Sequence, residues 1–239
     1  MKKLLAEISR LVSTAPPIIL TLLVLSIVGM NLLANKSINT GVDWLALDCG
    51  IIFSWLTFLC MDVLTHCYGP RAATAVSLVA LALNLMMAGF FFVASRIPGV
   101  WGESFVDEGG QLINAALDNT FGGTWFVILG SSIAFAASAT LNNFMNYGIG
   151  RALGHDRGFS TFALRSYVST FIGQFCDNIV FALLVSRTFF GWTLVQCFTC
   201  ALTGAVMELL FEIFFSPLGY RIAKRLRGEQ LAETEAYAV

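Results

Sequence analysis

Six apolar runs, each close to the length a helix needs to cross hydrocarbon, take up most of this chain, and some of them carry carboxylates in their interiors. Spanning the hydrocarbon of a bilayer takes about 20 residues of helix. The runs predict spans over Ala15–Asn35, Trp44–Val63, Ala72–Ser95, Trp125–Gly150, Ser160–Ser186 and Thr188–Leu218, the last two joined by a short turn over Arg187–Trp192. A charged content of 12% and a mean hydropathy of +0.76 exclude a soluble domain, where roughly 25% of residues are charged. The expected fold is all-α and integral to the membrane. It is a bundle of six helices forming one domain over residues 1–239, with no linker rich in Pro, Gly or Ser to divide it.

Basic residues set the expected orientation. With the N-terminus in the cytoplasm, Lys2, Lys3, Arg10, Arg71, Arg151, Arg157, Arg165, Arg221, Lys224, Arg225 and Arg227 lie inside, and only Lys36, Arg96 and Arg187 lie outside. Both termini are therefore expected to be cytoplasmic. The long outer segment is acidic and holds one amphipathic stretch, Gln111–Leu117, suited to the interface or to the mouth of the bundle. The six cysteines fall in or beside apolar runs, where thiols serve as small packing groups. Cys197 and Cys200 form a CxxC with no second pair nearby, so neither a disulfide framework nor a zinc site is expected. The basic head is followed by a long apolar run without a small-residue cleavage pattern, which reads as a first span.

An acidic side chain at the centre of a spanning helix costs about 2.5–3.5 kcal/mol on insertion scales, so it normally turns toward the bundle interior. Asp177 is near the midplane by its distance from Arg165 and Arg187, Glu208 and Glu212 lie in the middle or inner half of the sixth span, and Asp62 is near the inner end of the second. Asp48, near an outer end, reads as a solvated rim residue. Residues three and four apart share a helical face. Thr170, Gln174, Asp177, Asn178 and Phe181 make one stripe, and Glu208, Glu212, Ser216 and Tyr220 make another. Asn142, Asn143, Asn146 and Tyr147 cluster in the fourth span, and Asn31 and Asn35 pair in the first. These four faces are expected to meet around a polar cavity. Interhelical hydrogen bonding is the competing role for the asparagines. His66 reads as interfacial and His155 as solvated, which leaves no metal site.

No GxxxxGK[ST] phosphate loop occurs. A serine protease would need a histidine within a span, and both histidines lie outside the span centres. No filter-like glycine run or ring of charges suggests a channel. The chemistry that is left is carriage of a small molecule, by a chain that is not an enzyme and needs no cofactor.

Three stretches carry a likeness to a known family: LTFLCMDVLTHCYGPRAA (56–73), RSYVSTFIGQFCDNIVF (165–181) and ELLFEIFFSPLGYRIAKRL (208–226), with MNLLANKSI (30–38) at the end of the first span. In these the chain resembles the queuosine precursor transporters, also called the vitamin uptake transporter family. Asp62, Tyr68, Gly69 and Arg71 match the second-span motif, and Ser169, Thr170, Gln174, Asp177 and Phe181 the fifth. Glu212 and Pro217 match the sixth, and Asn31, Asn35 and Lys36 the first. His66 stands where an acidic residue is usual, and Glu208 where a lysine is usual. The resemblance implies import of a 7-deazaguanine, such as the prequeuosine base or queuine for tRNA modification, across a bacterial cytoplasmic (inner) membrane. Its partners would be that purine-like molecule and membrane lipid, with a homodimer allowed and no direct contact with nucleic acid. The site expected from stripes and motifs together comprises Asp177, Gln174, Asn178, Glu212, Glu208, Asn143, Asn146, Tyr147, Phe181, Asp62, Asn31 and Asn35, with Phe144 as a further stacking candidate. A midplane carboxyl such as Asp177 or Glu212 could couple import to protons, or the chain could be a facilitator. The competing functions are a substrate-capture subunit that docks on a separate ATPase, and an intramembrane enzyme.

Overall fold

The computed structural model describes residues 2–33, 36–38, 47–102, 110–122, 125–154 and 158–236, nearly all of them helical. In chain order the helices are α1 (Lys2–Ser13), α2 (Pro17–Leu33), α3 (Ile51–Tyr68), α4 (Pro70–Ala94), α5 (Gly110–Gly122), α6 (Trp125–Ala152), α7 (Phe159–Phe181), α8 (Arg187–Phe190) and α9 (Leu194–Ala236). Two short segments, β1 (Ser37–Ile38) and β2 (Leu47–Asp48), pair antiparallel before α3. Among the described residues, Ile51–Tyr68, Pro70–Ala94, Gln111–Ala152, Phe159–Ser186 and Leu194–Gly228 are long and apolar enough to cross a membrane. The pair α1 and α2, bent by 108° at their junction, meets the same requirement of length and composition when taken together.

The first span expected over Ala15–Asn35 matches α2, and the bend sets α1 apart from it. Pro16 lacks a backbone N–H, and Pro17 takes the first turn of a new helix, where its missing donor costs nothing. The α1 helix is amphipathic: Ile8, Leu11 and Val12 are half-buried, whereas Glu7, Ser9 and Arg10 are exposed. It therefore suits the membrane interface. The second span, by contrast, is displaced. It runs over Ile51–Tyr68, not Trp44–Val63, so Asp62 sits well inside the helix with a further turn and a half beyond it. The last span begins at Leu194, not Thr188, because α7 continues through a π-helical turn (Ala182–Ser186) and α8 before reversing at Gly191. The spans expected over Ala72–Ser95 and Trp125–Gly150 match α4 and α6, and the outer amphipathic stretch becomes α5.

Ile19, Leu23 and Ile27, four residues apart on α2, are buried against Phe58, Met61 and Leu64 of α3, Ala73, Val76 and Ala80 of α4, and Phe135 and Ala139 of α6. Alanines at these crossings let backbones approach closely, the usual basis of helix packing where lipid removes the hydrophobic drive. Large apolar residues such as Ile18, Leu25, Val195 and Phe214 are exposed, as lipid-facing side chains should be. The α7 helix packs along α6 on one side and α9 on the other, with α3 closing the group.

Two local devices shape this frame. Gly69 alone separates α3 from α4, at φ 84° and ψ 167°, a region open essentially to glycine. Pro217 lies inside α9 and cannot donate to the Ile213 carbonyl, but the neighbouring Ser216 hydroxyl donates to that oxygen at 3.2 Å. The helix thereby passes the proline with that acceptor satisfied.

Candidate functional site

Adjacent spans alternate in direction. The later parts of α2 and α7 and the early parts of α3, α6 and α9 therefore belong to one end of the bundle, and the opposite parts to the other end. The polar residues divide along this line into two groups.

The first group surrounds a cavity of about 160 Å³. From α7 come Gln174, Asp177, Asn178 and Phe181, and the π-helical turn adds Ala182 and Ser186. Asn31 of α2, Ser54 of α3, Ser131 of α6 and Cys200, Gly204 and Glu208 of α9 complete most of the wall, with Trp192 from the turn between α8 and α9. Asp177 is half-buried and accepts a hydrogen bond from Ser138 Oγ at 2.8 Å. Ser131 Oγ donates to Asn31 Oδ1 at 2.7 Å, and Asn31 Nδ2 donates to the Ile27 carbonyl at 2.9 Å, which fixes that amide. Two amide nitrogens are left without a hydrogen-bond partner, Gln174 Nε2 and Asn178 Nδ2. A buried donor without an acceptor costs about 1–3 kcal/mol, so two of them in one polar wall suit an incoming acceptor. Gly204 is what lets α9 approach here, since a Cβ at that position would stand 2.6 Å from Asn178 Nδ2.

The second group is a dry network at the other end. Asp62 of α3 accepts from Asn142 Nδ2 at 3.1 Å and Asn146 Nδ2 at 2.9 Å on one oxygen, and from Thr170 at 3.2 Å and Ser166 on the other. Ser166 Oγ also lies 2.6 Å from Glu212 Oε1. Arg165 Nε donates to Asn146 Oδ1 at 2.8 Å, and its NH1 lies 2.9 Å from His66 Nδ1. Guanidinium has donors only, so this His66 nitrogen is the acceptor and the ring is neutral. Asp62, Asn142, Ser166, Thr170 and Glu212 are all fully buried, and Arg165 is 3% exposed.

This division revises the expected single pocket. Asp177, Gln174, Asn178, Phe181, Glu208 and Asn31 share the cavity wall, whereas Asp62, Asn146 and Glu212 belong to the network one or more turns away. The expected α9 stripe is split between its two glutamates: Glu208 faces the cavity and Glu212 the network. Asn143 ties three helices, accepting from Thr65 at 3.2 Å and donating to Thr74 at 3.1 Å. Tyr147 and Phe144 are 37% and 51% exposed on the far face of α6 and do not line the cavity. Asn35 lies outside the described residues. His66 is buried, not interfacial, because it serves as the acceptor for Arg165. Arg165 is the seventh residue of α7, within the span expected over Ser160–Ser186.

Several contributors escape the sequence reading, Ser54, Ser131 and Gly204 of the cavity wall among them. Ser166 lies one turn before Thr170 and Ser138 one turn before Asn142, so extending each stripe backward by four residues finds both. Trp192 and the π-helical turn carry no periodic signal, being set by how α7 ends.

Neither the curated proteins nor the solved structures compared with this chain give a match. A family model described as "Putative vitamin uptake transporter" matches residues 48–222, from β2 through the part of α9 that holds Glu208, Glu212 and Pro217. The multi-pass helical bundle and the match over most of its length together establish that the chain belongs to this vitamin uptake transporter family.

Proposed function

We propose that the cavity binds a queuosine precursor, a 7-deazaguanine such as the prequeuosine base or queuine, and that the chain imports it across a bacterial inner membrane. The observation that carries this reading is the pairing, within one small wall, of the Asp177 carboxylate with the unpartnered amide nitrogens of Gln174 and Asn178. A deazaguanine offers adjacent N–H donors that a carboxylate accepts on both oxygens, a carbonyl that an amide N–H can meet, and a flat face for an aromatic ring. Asp177 takes the donor edge, Gln174 or Asn178 meets the carbonyl, and Phe181 or Trp192 stacks. Glu208 suits the cationic aminomethyl group of the prequeuosine base, which gives a role to the glutamate standing where the family pattern has lysine. A volume of about 160 Å³ lies below the ~300–1,000 Å³ of pockets for drug-sized ligands and favours a small heterocycle.

With both termini cytoplasmic, as the basic-residue bias indicates, the cavity lies in the outer half of the bilayer, where an importer first meets its substrate. Burial of Arg165 removes one cation from that bias without reversing it. One domain carries the whole site, since every element of the cavity wall belongs to the same bundle.

Thermal unfolding of the purified protein against deazaguanines, ordinary purines and unrelated vitamins tests the reading. A ligand present at 100 times its Kd stabilises the fold by about 2.7 kcal/mol. The deazaguanines are expected to raise the unfolding temperature and the other compounds to leave it unchanged. A response to flavins or pterins with none to deazaguanines would assign the site a different substrate.

A further inference from the structure

Asp62, Ser166 and Glu212 form a chain of contacts across α3, α7 and α9, and none of them lines the cavity. A serine hydroxyl has one hydrogen to donate. If both carboxylates were ionised, Ser166 could satisfy only one, and its lone pairs would face an anionic oxygen on the other. One proton more than the ionised side chains supply is needed to complete the chain.

The surroundings say which carboxyl holds it. Asp62 accepts from Asn142, Asn146, Thr170 and Ser166, a complete set of donors for an anion. Among the described residues Glu212 hydrogen-bonds the shared hydroxyl alone, and its Oε2 has no hydrogen-bond partner. Charge agrees. Arg165 reaches Asp62 through Asn146, which accepts from one and donates to the other, and His66 is neutral. Arg165 thus balances Asp62, and an ionised Glu212, which no cation contacts among the described residues, would be an unpaired anion in a region shut off from water. Of the other titratable groups around it, Cys60 of α3 stands beside Glu212, and Cys67 of α3 and Arg227 of α9 flank the Arg165 end, where Arg227 donates to the His66 backbone carbonyl. The sides contributed by α6 and α7 offer amides and hydroxyls.

We propose that this triad is a proton-binding site separate from the ligand cavity. Glu212 carries the proton and donates it to Ser166 Oγ, and Ser166 donates to the Asp62 carboxylate. The bound proton fastens α3 to α7 and α9. Its release leaves two anions sharing one hydroxyl, which only water can relieve, so deprotonation and parting of α3 from α7 and α9 are one event. The cavity lies one turn away on the same two helices, through the neighbours Gln174 and Thr170 on α7 and Glu208 and Glu212 on α9. A device so placed can couple proton entry to movement of the cavity wall. The proton site itself does not depend on which molecule the cavity takes, and its test uses none.

Infrared spectroscopy of the full-length protein in lipid at neutral pH reads the proton directly through the C=O stretch of a protonated carboxyl. The band is expected in the wild type, shifted by 13C-glutamate and not by 13C-aspartate labelling. It should vanish in Glu212→Gln and persist in Glu208→Gln and Asp177→Asn. Absence of the band from the wild type, its survival in Glu212→Gln, or a shift with aspartate labelling would overturn the proposal. Should Glu212→Gln fail to fold, Ser166→Ala serves in its place: loss of the hydroxyl acceptor must move the glutamate-labelled band, and an unmoved band counts against the triad.

Discussion

At the scale of single residues, the two ends of the bundle make opposite demands. Asp62 is an anion held by four donors, so Asp62→Asn turns two of its acceptor positions into donors facing donors. That substitution is expected to cost about 3 kcal/mol or more. In Glu212→Gln the amide can still donate to Ser166, and the cost is expected to stay below about 1 kcal/mol. Denaturant unfolding of the two variants in the same detergent measures the difference, and equal losses would count against the assigned charges. Asn178→Ala removes a cavity donor that bonds nothing in the protein. It should therefore leave stability nearly unchanged while weakening deazaguanine binding about tenfold, the value of a lost hydrogen bond of some 1.4 kcal/mol. Unchanged affinity would remove Asn178 from the site. The sequence exposes the chemistry of these residues, since carboxylates and amides in apolar runs stand out. It does not expose their grouping. Glu208 and Glu212 look equivalent at a spacing of four, and only the side chains facing each of them decide that one meets a cavity and the other a serine.

Among elements, the breaks matter more than the runs. Apolar length predicts α4 and α6 closely because no competing signal disturbs them. The second span is displaced because Trp44–Cys49 is apolar enough to read as helix, although Leu47–Asp48 pairs with Ser37–Ile38. The bend at Pro16 and Pro17 falls at the start of the first expected span and so leaves Ala15–Asn35 in agreement with α2. Gly69 between α3 and α4 makes a definite prediction: Gly69→Ala meets no atom within 4 Å yet forces a side chain into a backbone region it avoids. A loss of about 1–3 kcal/mol is expected from strain alone, read as a lower unfolding temperature, and a neutral outcome would refute the strained junction. In α9, Ser216→Ala exposes the carbonyl that Pro217 leaves unpaired and also removes the partner of Tyr167 OH at 2.8 Å. A cost of about 1–3 kcal/mol follows.

For the whole molecule, the alternation of spans gathers a ligand-sized cavity at one end and a charge-balanced network at the other, with α7 and α9 running through both. Cys200, half-buried in the cavity wall, offers a native probe of this arrangement. In a variant keeping only Cys200, a membrane-impermeant thiol reagent added outside the cell is expected to label it, and deazaguanine to slow the labelling. Labelling from the cytoplasmic side alone would invert the topology. The most direct measurement is equilibrium binding of the prequeuosine base to purified wild-type protein and to Asp177→Asn and Glu212→Gln. Wild type and Glu212→Gln are predicted to bind, and Asp177→Asn to lose at least a hundredfold in affinity with its fold intact, about 2.7 kcal/mol. Wild-type affinity in Asp177→Asn would contradict the assignment of the cavity as the binding site.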